Sequence, residues 1–173
     1  MKQLDHNQTP TIAPPRPITL ICDGITLSAN IGGIFRLADA FGVDEIIFGG
    51  DIIDTSSRKI KHVSRSTHNW VKHRNSEDLT REIQDYKAQG FKIIALEITS
   101  QSLPLAAIDF PKETQIVLVI GSEIAGVSES ILYVCDAVYH IPMFGKNSSM
   151  NVTNALGILL YELTRDFIRE EQD

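Results

Sequence analysis

Three polar segments, each following an apolar run, hold most of the side chains in this sequence that could do chemistry. In Ser28-Ala29-Asn30-Ile31-Gly32-Gly33-Ile34-Phe35-Arg36, an amide and a guanidinium share a largely apolar helical pattern. Ser28 or Asn30 suits the cap of that helix. Arg36 has Asp39 as its near acid at i+3. It either pairs with that carboxylate or presents a fixed planar cation to a phosphate. The second segment runs from a buried-strand pattern into Gly121-Ser122-Glu123-Ile124-Ala125-Gly126. Its glycines permit close backbone approach by a ligand, and Glu123 suits either a ribose hydroxyl or the start of a helix. It matches neither GxGxxG nor GxxxxGK[ST], so neither nucleotide fingerprint applies. In the third, Ile141-Pro142-Met143-Phe144-Gly145-Lys146 leads into Asn147, Ser148, Ser149, Asn151, Thr153 and Asn154. These are more hydroxyls and amides than one helix cap needs. Beside Met143, Phe144 and Met150 they would suit a ligand that is part polar and part apolar.

The elements that must position these segments follow from periodicity. Short Ile- and Val-rich runs at 18–22, 45–48, 91–96, 116–120 and 137–141 read as buried strands, and 31–41, 76–89 and 128–134 as helices. A last helix is expected over 150–168, with Val152, Leu156, Leu159, Leu160 and Leu163 at spacings of three and four. Strands alternating with helices predict an α/β three-layer sandwich with a mostly parallel sheet. Ligands of such sheets sit beyond the carboxyl ends of the strands, where these three segments fall. Residues 1–17 contain four of the seven prolines and read as a flexible tail, leaving 18–173 as one domain.

Composition narrows the function classes. In 173 residues, 43% are hydrophobic and 22% charged, which fits a globular domain. No apolar run approaches the ~18 residues of a membrane span. The N-terminus lacks a basic-then-apolar signal pattern, so a cytoplasmic protein is expected. The two cysteines have no CxxC spacing, and the five histidines no HExxH spacing, so no metal is expected. The net charge of −6 argues against nucleic acid only until it is divided. From Asp54 to Asn75, Arg58, Lys59, Lys61, Arg65, Lys72 and Arg74 face a single acid, giving +5, so the remaining 151 residues carry −11. Such a segment is either a solvated basic loop or a site for a phosphate-bearing polymer, with Arg58, Lys61 and Arg65 the candidate contacts.

Taken in order, the three segments resemble the SpoU-type (TrmH-like) RNA ribose 2′-O-methyltransferases of the SPOUT superfamily, over about residues 18–165. The first motif stands as Asn30…Arg36 before Ala40-Phe41-Gly42-Val43-Asp44, and the second as Ile120-Gly121-Ser122-Glu123 with Gly126. The third stands as Ile141-Pro142-Met143 followed by Ser149-Met150-Asn151-Val152. Lys61-His62-Val63-Ser64-Arg65 with Trp70-Val71 also resembles a linking segment of the TrmH-like branch. Met150 replaces the family's usual Leu, a volume-conserving change. Ile124-Ala125 stands where a Gly- or Glu-containing turn is common.

The resemblance implies a C-terminal deep trefoil knot, which topology rules alone would reject, and S-adenosylmethionine (SAM) as cofactor. It also implies an obligate homodimer whose RNA site draws on both chains. The reaction it implies is methyl transfer to a ribose 2′-hydroxyl, with Arg36 central and Asn30, Glu123, Ser149 and Asn151 around it. Cofactor contacts would come mostly from backbone, at Leu96, Glu97, Gly121, Ser122, Ile141, Met143 and Met150. Neutralising a guanidinium at pH 7 costs about 7 kcal/mol or more. Arg36 is therefore better read as a phosphate clamp than as a base, with Asn30 and Ser149 holding it or the hydroxyl. The compact chain suggests tRNA rather than rRNA by analogy. The rivals are a non-catalytic knotted RNA-binding relative and a nicotinamide oxidoreductase, which would need a Gly-rich first loop. A metal hydrolase is weaker still.

Overall fold

The computed structural model describes residues 16–170. Most of the expected tail, 1–17, therefore lies outside the described residues. Pro17 is tied in, its carbonyl accepting from the Ile116 N–H at 3.1 Å.

Among the described residues seven strands form one sheet: β1 (Ile18–Asp23), β2 (Glu45–Gly49), β3 (His73–Ser76), β4 (Lys92–Leu96), β5 (Leu103–Pro104), β6 (Ile116–Gly121) and β7 (Ala137–His140). Their order is β3-β2-β1-β6-β4-β7-β5, and every pairing is parallel. The expected mostly parallel sheet is thus parallel throughout. The helices are α1 (Ser28–Phe41), α2 (Arg58–Ser64), α3 (Leu79–Ala88), α4 (Glu129–Val134) and α5 (Val152–Glu170).

Side-chain alternation along the strands sends consecutive residues to opposite faces. Leu20, Ile46, Phe48, Ile94 and Leu118 pack beneath α1 and α5, against Ile34, Phe35, Leu156 and Leu160. Ile21, Ile47, Ile93, Val117 and Val119 pack beneath α3 and α4, against Leu79, Ile83 and Ile131. Two separate cores around one sheet make the three layers expected, and strands buried on both faces explain the unbroken Ile/Val runs.

Three elements are additional to those expected, and α3 and α5 start later. β3 and β5 were not foreseen, and α2 occupies the segment read only as basic. Helix α5 begins at Val152 rather than 150, because the Asn151 Oδ1 caps it by accepting from the Thr153 N–H at 2.9 Å. Helix α3 begins at Leu79, capped by Asp78 Oδ1 on the Arg81 N–H at 3.0 Å. Among the described residues no helix is long and apolar enough to cross a membrane.

Candidate active site

Because all strands run the same way, their carboxyl ends share one edge of the sheet. The chain leaves β4 for β5 at the far edge, returns to β6, then crosses forward to β7. The loops after β4, β6 and β7 meet outside that edge and wall a cleft of about 700 Å³, a size usual for a small-molecule site. Leu96, Glu97, Gly121, Ser122, Ile141, Met143 and Met150 all line it, as do Glu123, Ser149 and Asn151. Arg36 and Asn30 do not.

The loop after β6 is shaped from within. The Gly126 N–H donates to the Ser122 carbonyl at 2.8 Å, and the Ala125 N–H to Ser122 Oγ at 3.1 Å. A Cβ on Gly121 would overlap the Gly126 backbone, so the turn closes only with glycine there. Gly126 itself has φ +68°, the left-handed region. Two carboxylates pin the far side. Glu97 Oε2 accepts from the Val127 N–H at 2.9 Å, and Asp23 Oδ2 from the Ser128 N–H at 2.8 Å. Glu97 Oε1 accepts from the Ile98 N–H at 2.8 Å. Glu97 therefore lines the cleft with a side chain already committed to holding its wall. That role left no mark in the sequence beyond an acid after a strand. Glu123 is exposed in this loop. It does not start a helix, since α4 begins at Glu129.

Asn30 lies in the first turn of α1, is 4% exposed and caps nothing, the N-cap position being Leu27 with no side-chain bond. Instead its Oδ1 accepts from the Asn151 Nδ2 at 3.0 Å. Asn151 thus caps α5 with one end of its amide and grips α1 with the other. Asn30 Nδ2 is buried with no hydrogen-bond partner among the described residues, a costly state for a donor. Asn30 and Arg36 are not joined: Arg36 projects into solvent. The alternative in which Arg36 pairs with Asp39 is not realised; Asp39 Oδ1 instead accepts from Trp70 Nε1 at 2.6 Å. The side chains of Arg36, Glu123 and Ser149 make no hydrogen bond or ion pair among the described residues.

The basic segment divides in two. Lys72 and Arg74 reach Glu45 at 3.2 and 3.4 Å, and Arg74 also grips Glu82 through Nη2 at 2.8 Å. The Arg74 bond holds the Glu82 carboxyl below its usual range. Arg58, Lys59, Lys61 and Arg65 instead stand exposed on α2 and its C-terminal end. Four of the six cations thus have no ion-pair partner among the described residues.

Residues 17–161 match the SpoU rRNA Methylase family. The chain belongs to this family. It is 31% identical over 160 residues to the tRNA (guanosine(18)-2′-O)-methyltransferase of Aquifex aeolicus (strain VF5), covering 91% of this chain and 72% of that one. It is 29% identical over 160 residues to the 23S rRNA (guanosine(2553)-2′-O)-methyltransferase of Bacillus subtilis (strain 168), covering 91% and 62%. Among solved structures, the AdoMet-bound rRNA methyltransferase from Sinorhizobium meliloti superposes with a TM-score of 0.80 at 27% identity, covering 90% of this chain and 59% of that one. This SpoU-family chain thus spans about three-fifths to three-quarters of these relatives' lengths. The likeness covers the whole sheet and all three loops of the cleft.

Proposed function

We propose that this SpoU-family chain transfers a methyl group from SAM to a ribose 2′-hydroxyl of RNA, with tRNA as the substrate class. It would act in the cytoplasm as a homodimer. The observation that carries this reading is the cleft at the carboxyl ends of β4, β6 and β7, lined by ten of the twelve residues that the family resemblance marks for cofactor and chemistry.

The residues present fit SAM. Leu96, Ile120, Ile141 and Val152 give apolar walls for an adenine ring, and Thr99, Ser122, Asn147 and Ser149 give hydroxyls and an amide for the polar ends. Glu123 puts a carboxylate on the wall for a cation. Membership of the family supports the knotted passage that the resemblance implies. SAM, when bound, supplies a methyl group on an already activated sulfonium leaving group.

What the protein must add is position and charge. The pinned 121–128 loop offers backbone amides whose directions are set before any ligand arrives. The Asn30–Asn151 bond fixes the start of α5 against α1. Arg36 would clamp a phosphate beside the target ribose and stabilise charge developing on its 2′-oxygen. It lies outside its own chain's cleft, so a second copy presenting α1 would complete the site; this supports the homodimer.

The test is incubation of the protein with methyl-labelled SAM and unmodified tRNA or rRNA, followed by mapping of 2′-O-methyl groups. Label on tRNA ribose supports the reading. Label on rRNA alone moves the substrate to the class of the Bacillus relative. Tight RNA binding without label reduces the chain to a binding module.

A further inference from the structure

We propose that Trp70 is a positioning residue for Arg36: its indole N–H holds the Asp39 carboxylate off the guanidinium and keeps that cation free for RNA. The inference rests on the reading of Arg36 as a phosphate clamp.

Arg36 and Asp39 are three residues apart on α1, neighbours on the helix surface whose opposite charges ordinarily attract. They do not pair here. Asp39 Oδ1 is taken at 2.6 Å by the indole N–H of a residue 31 positions away. The second carboxylate oxygen remains open. The indole therefore acts by fixing the direction in which the acid faces, not by saturating it.

Burial does not account for the tryptophan, which is 61% exposed. The segment leading to it is nonetheless firmly built. Helix α2 seats on α1 at Gly32, where a Cβ would run into Val63. It ends in two consecutive non-glycine residues at positive φ, Arg65 at 48° and Ser66 at 74°, a conformation that costs energy at each position. A 3₁₀ turn at Thr67–Asn69 follows. The buried Ser64 hydroxyl bonds the His68 Nδ1 at 2.7 Å, and Thr67 Oγ1 donates to the Ser64 carbonyl at 2.7 Å. The Thr67 carbonyl then accepts from the N–H groups of Trp70 and Val71 at 3.2 and 3.0 Å. Strained backbone and buried polar bonds thus deliver one exposed ring to one exposed acid, a helical turn from the cation on which the reaction depends.

The test uses the whole protein, with saturating SAM and titrated tRNA. Trp70→Phe keeps an aromatic ring and removes the N–H donor together with the five-membered ring that carries it. It is expected to lower kcat/KM for RNA about two- to fivefold, the range an exposed competing ion pair can supply. SAM affinity and melting temperature should stay near the parent's. Adding Asp39→Asn should restore the lost activity, because an uncharged residue 39 cannot capture Arg36. No loss in Trp70→Phe overturns the proposal. So does a loss that persists in the double variant, which would mean that the indole stacks on RNA or supports the fold directly. Arg36→Ala separates the two levels. Full activity there removes the clamp reading and this proposal with it. An inactive Arg36→Ala beside an unaffected Trp70→Phe removes this proposal alone.

Discussion

Around the cleft, several polar side chains (though not Glu123 or Ser149) are consumed by the fold, whereas on the α1–α2 face the cations are left in solvent. Glu97, Asp23 and Asn151 each spend their oxygens on backbone N–H groups within the protein. Arg36, Arg58, Lys61 and Arg65 stand exposed, and the one acid placed to neutralise Arg36 is turned aside by Trp70. A ligand of constant shape can be held by backbone whose geometry is set internally. A polyanion of variable shape is met by mobile cations whose value lies in being unspent. The same residue types therefore mean different things on the two sides.

That contrast can be broken or sharpened by substitution. Arg36→Ala should reduce methyl transfer by about 10³-fold or more, as loss of a group stabilising developing charge does. SAM affinity by calorimetry should barely change, and a parallel loss of SAM binding would join the two regions that the structure separates. Removing the charges of Arg58, Lys61 and Arg65 together should weaken RNA binding about 10- to 100-fold at low salt and flatten its salt dependence by roughly two to three units of slope. An unchanged slope would show that these cations never meet phosphate. Glu97→Gln leaves one of two backbone donors poorly matched, which costs about 1–2 kcal/mol. SAM should bind roughly tenfold more weakly, and the Val127 amide should exchange its hydrogen faster, with RNA affinity unaltered.

The smallest effect belongs to a pair that is basic by count yet structural in use. Glu82 is held below its usual range by Arg74. The pair's contribution is therefore complete above the unfolded carboxylate range, about 4.3, and lost as pH falls below it. Glu82→Gln should lower stability at pH 7 by about 0.5 kcal/mol or less and leave acid melting curves converging with the parent's below that range. RNA affinity should not respond.

Much of the sheet was legible because strands buried on both faces need unbroken apolar runs, and 18–22 and 116–120 are such runs. β3 was not, since His73-Arg74-Asn75-Ser76 is a polar strand held to β2 on one side only. Helix α2 offered only Ile60 and Val63 as packing residues inside a charged segment. Its docking depends on Gly32, 31 positions before Val63 in the chain. The cleft-lining residues were legible as motifs, but the uses of their side chains were not. Glu97 reads as an acid after a strand, and nothing nearby announces that its partner is the Val127 amide. Asp39 reads as the natural partner of Arg36, and a residue 31 positions on decides otherwise. Local spacing shows what a residue could do; the competing partner is a fact of tertiary structure.

The position of β6 has a consequence for how the molecule comes into being. It is the sixth strand made, yet it lies between β1 and β4. Until it emerges during synthesis, the half-sheet β3-β2-β1 has no neighbour for the inner edge of β1, and β4 has none for the edge β6 will take. Open strand edges of this kind invite pairing with other chains, and joining them requires contacts across long stretches of sequence, which form slowly. A chain halted before Ile116 would carry both edges bare. Emergence of β6, rather than gradual growth from one end, is what joins the two halves of this sheet.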